Sequence, residues 1–413
     1  MRILYTIGIG FYTLGVRMAA LCGHRNARLM VKGWKEWKVK SEKNGAPVAW
    51  FHAASLGEFE QARPVLEAFR QRHPDYKVVV TFFSPSGYEV RKNYAEADLV
   101  RYLPMDLPGN VRRLLDTVKP SVVFFVKYEF WYNYLDELRK RGIPTYIFST
   151  IFRPSQYFFK WYGGWFRKQL RTCFKHLFVQ NEESLHLLQG IGIEHCTIAG
   201  DTRFDRVHQI ALACESNEVV ERWLGDNDEC VIVGGSTWPP DEEILSRFAK
   251  MPPRPLRLIL APHVISEEHL KQIEERFPDS VRYSVLKDLK HSKGLKDHKV
   301  LIIDNIGMLS KLYRYADVAY IGGGFGVGIH NILEAVTFGK PVLFGPNYQK
   351  FQEARDIIAC GGGWSVDSAD SLLHILGPLV SDPHKRELPS QACTHYMERN
   401  LGSTDKILST IEK

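Results

Sequence analysis

Short apolar runs alternate along this chain with longer stretches whose apolar residues recur at helical spacing. From Pro47 onward the runs 48–54 (VAWFHAA), 77–83 (KVVVTFF), 121–127 (SVVFFVK), 145–150 (TYIFST) and 176–180 (HLFVQ) predict strands. The stretches 58–72 (EFEQARPVLEAFRQR) and 133–142 (NYLDELRKRG) predict helices between them. Continuous apolar strands separated by helices imply a parallel sheet covered on both faces. After a polar stretch near 215–221 the pattern restarts, with strands expected at 229–235, 256–262, 299–305, 317–323 and 341–345. The economical fold is α/β: two doubly wound parallel-sheet (Rossmann-like) domains in tandem, over 46–210 and 216–391.

The first 45 residues read differently. Residues 3–16 are uncharged and mostly apolar, fewer than the roughly 18–20 needed to span a bilayer. A basic run with Trp34 and Trp37 interleaved follows. This predicts a membrane-associating segment over 1–45 that either lies on the membrane or inserts, with its basic flank and the rest of the chain on the cytoplasmic side.

Charge sharpens that division. The 413 residues carry 54 Lys plus Arg against 47 Asp plus Glu, a formal +7. Residues 1–45 hold nine basic and two acidic side chains, so they carry the whole excess and the remaining 368 residues sum to zero. A nucleic-acid binder with a basic body is excluded on this balance. At 45% hydrophobic and 24% charged the chain is an ordinary folded protein, and disorder is excluded. Seven Cys without a CxxC pair read as reduced thiols of a cytosolic protein, with neither a disulfide framework nor a zinc site.

In doubly wound sheets ligands bind beyond the carboxyl ends of strands, so the loops there carry the candidate chemistry. Ser55-Leu56-Gly57-Glu58 follows the first strand, with Gly57 expected to ease a tight turn and Glu58 to fall in the first turn of the next helix. A carboxylate there suits either the helix dipole or general-base work on a bound substrate. Glu129 follows the third predicted strand among aromatics, as a partly desolvated acid or a capping one. Gly234, Gly235, Ser236 and Thr237 precede a helix opening at Pro239, with Ser236 and Thr237 as its caps and free N–H groups for an anion.

The most informative stretch is Gly322 to Ala335 (GGGFGVGIHNILEA), with five glycines in seven residues after a strand. Close backbone approach to phosphate or sugar is the reason for such a run. Asn331 and Glu334 are expected one helical turn apart on one face, placed to grip a diol. The string Asp226-Asn227-Asp228 precedes a strand within a polar stretch and reads as a solvated loop, not as a metal site.

The combination of HAASLGE, KYEFWYN (127–133), AGDTRFDR (199–206), GGSTWPPDEE (234–243), APHVISEEH (261–269), the glycine run with HNILEA, and GPNYQKFQEA (345–354) resembles the 3-deoxy-D-manno-oct-2-ulosonic acid (Kdo) transferases of lipopolysaccharide synthesis over nearly the whole chain. The resemblance implies a GT-B fold, two such domains facing a central cleft, with a last helix over 392–413 returning to the N-terminal domain. It implies an inverting transfer of Kdo from CMP-Kdo to a hydroxyl of the lipid A precursor (lipid IVA) at the cytoplasmic side of the inner membrane. Glu58 would be the general base, Glu129 would support the transition state, and Arg203, where the pattern often has Lys, would meet the leaving phosphate. Gly235, Ser236, Thr237, Pro262, His263, Ile306, Gly307, Met308, Gly324, Asn331, Ile332, Leu333 and Glu334 would line the CMP-sugar site, with His263 standing where the family has Arg. No cofactor and no metal are implied, nor a nucleic-acid partner.

An aromatic and basic stretch, 151–177, suits a lipid surface or an anionic acceptor independently of the resemblance. It contains Arg153, Lys160, Arg167, Lys168, Arg171 and Lys175, nine aromatics and no acid. With Ser55 and Gly57, Arg153, Lys160, Arg167, Lys168 and Arg171 are the expected acceptor and membrane contacts. The alternative on the same two-domain fold is a nucleotide-sugar epimerase, which has no use for the N-terminal attachment. A non-enzymatic membrane or RNA-binding protein gives no reason for Glu58 and the glycine run to coexist.

Overall fold

The structure, a computed structural model, describes residues 1–37, 45–225, 228–288 and 298–412. Asp226 and Asn227 of the DND string lie outside the described residues, as do Lys38, Lys40 and Lys43 of the basic flank. The chain separates into two compact units, one of Met1–Arg206 with Leu401–Lys413 and the other of Val207–Asn400.

The first unit is built on seven strands: β1 (Val48–Ala53), β2 (Lys77–Phe82), β3 (Leu99–Tyr102), β4 (Val122–Val126), β5 (Thr145–Thr150), β6 (His176–Val179) and β7 (Cys196–Ile198). They pair in the order β3-β2-β1-β4-β5-β6-β7, all parallel. Consecutive residues of one strand feed opposite cores, as the period of two requires. Trp50 and Phe125 belong to the cluster on one face, Phe51 and Phe124 to the cluster on the other, all at most 1% exposed. Burying a ring of that size stabilises the fold by roughly 2–3 kcal/mol, so β1 and β4 anchor the unit from both sides.

The second unit repeats the plan with β8 (Cys230–Thr237), β9 (Leu256–Pro262), β10 (Ser280–Arg282), β11 (Val300–Ile302), β12 (Val318–Ile321), β13 (Val342–Phe344) and β14 (Gly363–Ser365). Their order is β10-β11-β9-β8-β12-β13-β14, again wholly parallel. The strand order reverses between β1 and β4 in the first sheet and, in the second, where β11 also returns to lie between β10 and β9, between β8 and β12. Crossovers leave to opposite sides there, which opens a crevice beyond the carboxyl ends of those two strands.

The helices used below are α1 (Arg2–Leu21), α2 (Arg25–Gly33), α3 (Leu56–Arg72), α4 (Pro108–Val118), α5 (Tyr132–Lys140), α6 (Gly164–Cys173), α7 (Pro239–Lys250), α8 (Leu333–Val336), α9 (His384–Asn400) and α10 (Ser403–Ile411). The single last helix expected over 392–413 is instead two, α9 and α10, broken at Gly402 with φ 91°. The break lets α10 leave the second unit and pack on α3, burying Ile407 and Leu408 in the first unit's core. Asp205 fixes the break by accepting from Gly402 N–H (2.8 Å) and Thr404 N–H (2.7 Å).

Helix α1 is long and apolar enough to cross a membrane. It nevertheless lies along the first unit. Arg2, Tyr5, Thr6, Ile9, Thr13, Val16 and Ala20, spaced three or four apart, form its covered face. Tyr5 Oη donates to Asp106 (2.7 Å), Arg2 Nε to Asn133 (3.1 Å), and the Arg2 guanidinium also pairs with Asp136. The opposite face presents Ile3, Leu4, Ile7, Phe11, Leu14, Met18 and Leu21, up to 84% exposed.

Candidate active site

Glu58 sits in the first turn of α3, immediately beyond β1, and its Oε2 accepts from the Ala54 N–H at 2.6 Å. Its Oε1 has no hydrogen-bond partner among the described residues. Glu129 lies beyond β4, on the other side of the switch point, and is buried. Its Oε2 faces His52 Nε2 at 2.9 Å and also accepts from Trp131 Nε1. His52, on β1, is fully buried, with Nδ1 close to the Thr81 hydroxyl (2.9 Å) and carbonyl (3.0 Å). Trp50 Nε1 donates to that hydroxyl at 2.8 Å. With the Thr81 hydroxyl donating to Nδ1, His52 Nε2–H points at Glu129, and the Trp131 indole nitrogen lies 3.2 Å from the same Nε2. Glu129 is thereby held in one orientation by two donors.

Burial, and then the charge of Glu129, push the Glu58 carboxyl above the usual carboxylate range, opposed by the Ala54 N–H, His52 and Lys127. A carboxylate lifted toward neutrality that keeps one oxygen free is suited to taking a proton. Lys127 begins the β4 loop at φ 61°, a left-handed conformation disfavoured for a side-chain-bearing residue. Such outliers persist where the surroundings over-determine them, here at the entrance to the Glu129 loop.

Arg203 opens the helix Thr202–Leu212 and grips Asp201 through Nε (2.8 Å) and a second guanidinium nitrogen (2.7 Å). Asp201 is itself held by Gln61 Nε2 of α3 at 3.0 Å. The cation is thus positioned from the same helix that carries Glu58. Ser55 is the N-cap of α3, with its side chain making no capping bond. The tight turn expected at Gly57 is absent: the residue is helical with an ordinary φ. A Cβ there would meet nothing within 4 Å, so glycine leaves open space beside Glu58.

In the second unit β8 continues through Thr237, so Gly234 and Gly235 are paired in the sheet and their N–H groups are not free. The caps expected at Ser236 and Thr237 are replaced by another arrangement. Trp238 is the N-cap of α7, and Asp241 accepts its N–H at 2.9 Å. The same buried carboxylate accepts from Gly323 N–H (2.9 Å) and Tyr320 Oη (2.8 Å) and so staples the glycine run to the head of α7. Burial raises the Asp241 carboxyl above its ordinary value, and those donors pull it back. Ser236 is held at φ 52°.

The glycines are there for lack of space. A Cβ on Gly322 would lie 2.2 Å from Ser236 O, and one on Gly324 2.5 Å from Gly345 N. The run thus lays three strand ends against one another without side chains between them. Asn331 and Glu334 do meet, Nδ2 to Oε1 at 3.2 Å, although the helix that carries Glu334, α8, is a single turn and Asn331 precedes it. Ile332 and Leu333 are buried beneath them. Pro262 ends β9, and His263 stacks between Trp238 (centroids 4.7 Å) and His330 (4.5 Å). Burial, then His263, lowers the His330 imidazole below its usual range. Ile306, Gly307 and Met308 form the loop after β11, with Ile306 92% exposed and Gly307 at φ 93°.

The stretch 151–177 departs most from expectation. Phe152, Phe158 and Phe174 are buried, and Tyr157, Phe159, Trp165 and Phe166 pack against the same core. Only Trp161 (91%) and Tyr162 (54%) are the exposed aromatics, in a short turn before α6. Arg153, Lys168 and Arg171 are exposed, and Lys160 and Arg167 are half-buried. His52, Trp131 and Asp241 are site residues that spacing alone does not reveal. Of these only His52 carried a signal, as an imidazole in an otherwise apolar strand.

Residues 28–206 match the family model of the 3-deoxy-D-manno-octulosonic-acid transferases (kdotransferases). A 3-deoxy-D-manno-octulosonic acid transferase of Bordetella pertussis is 28% identical, over 98% of this chain and 99% of its own. Those of Chlamydophila psittaci (26%, 89% and 85%) and Aquifex aeolicus (25%, 83% and 88%) match similarly. Among solved structures, UDP-GlcNAc 2-epimerase from Neisseria meningitidis shares the fold at a TM-score of 0.61 and 16% identity, covering 88% of this chain and 98% of that one. A putative UDP-N-acetylglucosamine 2-epimerase from Listeria monocytogenes follows at 0.58 and 12%, covering 88% and 95%. At such identity these two speak to the fold alone, the two-domain GT-B plan. The family model over residues 28–206 and relatives 25–28% identical over most of their length support a Kdo transferase.

Proposed function

We propose that this protein transfers Kdo from CMP-Kdo to a hydroxyl of the lipid A precursor, inverting the anomeric configuration, with Glu58 as general base. The observation that carries the reading is Glu58 itself: a carboxylate at a topological switch point, raised by burial and by Glu129, with Oε1 unengaged. As the acceptor oxygen attacks the anomeric carbon, its proton passes to Glu58 and the bond from that carbon to the CMP phosphate breaks. The electron pair leaves with the phosphate oxygen. Arg203 meets that charge, its guanidinium aimed by Asp201. Glu129, held by His52 and Trp131, keeps negative potential beside the developing oxocarbenium. The donor is assigned to the second unit, with Asn331 and Glu334 at the ribose and the glycine run at the phosphate.

The acceptor is a lipid, and α1 brings the protein to it. Bonds from Arg2, Tyr5 and Thr6 to the body of the first unit favour α1 lying along the membrane over threading it. The helix's apolar outer face, some 30 Å long, lies in the plane of one leaflet, at the inner membrane's cytoplasmic side. Glu58→Gln removes the base without changing its shape. It is expected to lower turnover by roughly 10²–10⁴-fold while CMP-Kdo binding stays within about twofold. Wild-type CMP release by that variant, in the presence of acceptor, refutes the assignment.

A further inference from the structure

Between α1, α2 and the start of α4 lies an open cavity of about 1210 Å³, wholly within the first unit and separate from the Glu58 site. Arg17, Arg28, Lys32, Lys35 and Arg113 line it, and its lining contains no carboxylate. None of the five is ion-paired among the described residues; Arg28 donates only to the Ala20 carbonyl (3.0 Å). Trp34 also lines the cavity, and its indole Nε1 is buried without a hydrogen-bond partner among the described residues. Five cations around one concavity repel one another, and an unmade indole bond adds its own desolvation cost. An anion with acceptor oxygens relieves both. The rim supplies a second requirement. Leu21 is part of the lining and continues into the exposed apolar strip of Leu14 and Met18 on α1.

We propose that this cavity seats the phosphate headgroup of an anionic glycerophospholipid, whose acyl chains follow the outer face of α1 into the leaflet. The phosphate lies among the five cations, beside the Trp34 indole. The lipid is a fixed companion of the fold, distinct from the acceptor that is glycosylated. This rests on the in-plane seating of α1 and not on Kdo transfer.

The full chain in neutral detergent is titrated calorimetrically with dihexanoyl phosphatidylglycerol, dihexanoyl phosphatidylcholine and inorganic phosphate. One phosphatidylglycerol per chain is expected to bind saturably, with the other two at least tenfold weaker. Removing a cation near a lipid headgroup lowers affinity about fivefold, so Lys32→Gln with Arg113→Gln is expected to weaken binding about 25-fold. Lys385→Gln with Lys406→Gln, the same charge lost at exposed sites elsewhere, leaves binding unchanged. Trp34→Phe, which keeps the ring, weakens it several-fold and guards against misfolding of the double variant. Equal weakening by both pairs, or equal affinity for the three ligands, overturns the proposal in favour of diffuse charge. Displacement of phosphatidylglycerol by the acylated, phosphorylated acceptor overturns it in favour of an acceptor subsite. Glu58→Gln binds the phospholipid normally whether or not the transfer reading stands, so the two failures are distinguishable.

Discussion

Asp106 joins α1 to the start of α5, and its substitution by Asn gives a signed, pH-dependent consequence. The carboxylate is fully buried at the end of the β3 strand's loop. It accepts from Asn133 N–H (3.0 Å), Tyr134 N–H (2.9 Å) and Tyr5 Oη (2.7 Å), and so caps α5 from outside the helix while holding α1. Burial pushes its pKa from 3.8 to about 6, with those donors and Arg2 pulling it down. A folded-state value above the unfolded one means a stabilising contribution that is complete below pH 4 and lost as pH rises through 6. The difference of about 2 units corresponds to roughly 3 kcal/mol. Asn does not titrate. Relative to Asp106→Asn, the wild-type chain is therefore expected to lose about 3 kcal/mol between pH 4 and pH 7.5. Urea titrations read by hydrogen exchange over 132–140 report this locally, without assuming that both units unfold together. A stability difference that stays flat across that range refutes the reasoning. Asp106→Ala calibrates the scale, because it strands three donors at any pH at a cost on the order of 1–3 kcal/mol each.

Two further outcomes follow from the site. Glu129→Gln removes the charge that helps to raise Glu58, so the acidic limb of the kcat/KM profile moves to lower pH; an unmoved limb shows that the two carboxylates do not interact. Gly324→Ala drives a methyl into the Gly345 backbone and is expected to cost on the order of 1–3 kcal/mol. It should weaken CMP binding by calorimetry and leave vesicle binding intact, and unchanged CMP affinity removes the glycine run from the donor site.

What the sequence disclosed depended on how far apart the interacting residues were. The central strands were legible because they are buried on both faces and read as apolar runs. The four that escaped, β3, β7, β10 and β14, are the outermost strands of their sheets and only three or four residues long. Half-covered edges carry too little apolar signal to stand out. Glu58 and Glu129 were legible because they follow such runs directly. Asp241 was not, since its partners lie some eighty residues downstream on Tyr320 and Gly323. In 151–177 composition misled, because an interior wall of aromatic rings and a lipid-facing one have the same letters.

The break at Gly402 also orders events in synthesis. Ile407 and Leu408 complete a core whose other members are made by residue 199. The first unit therefore stays unfinished, with the flank of α3 bare, while the entire second unit is translated. During that interval α1 has already emerged. A product truncated before residue 401 is expected to display that bare flank to proteases.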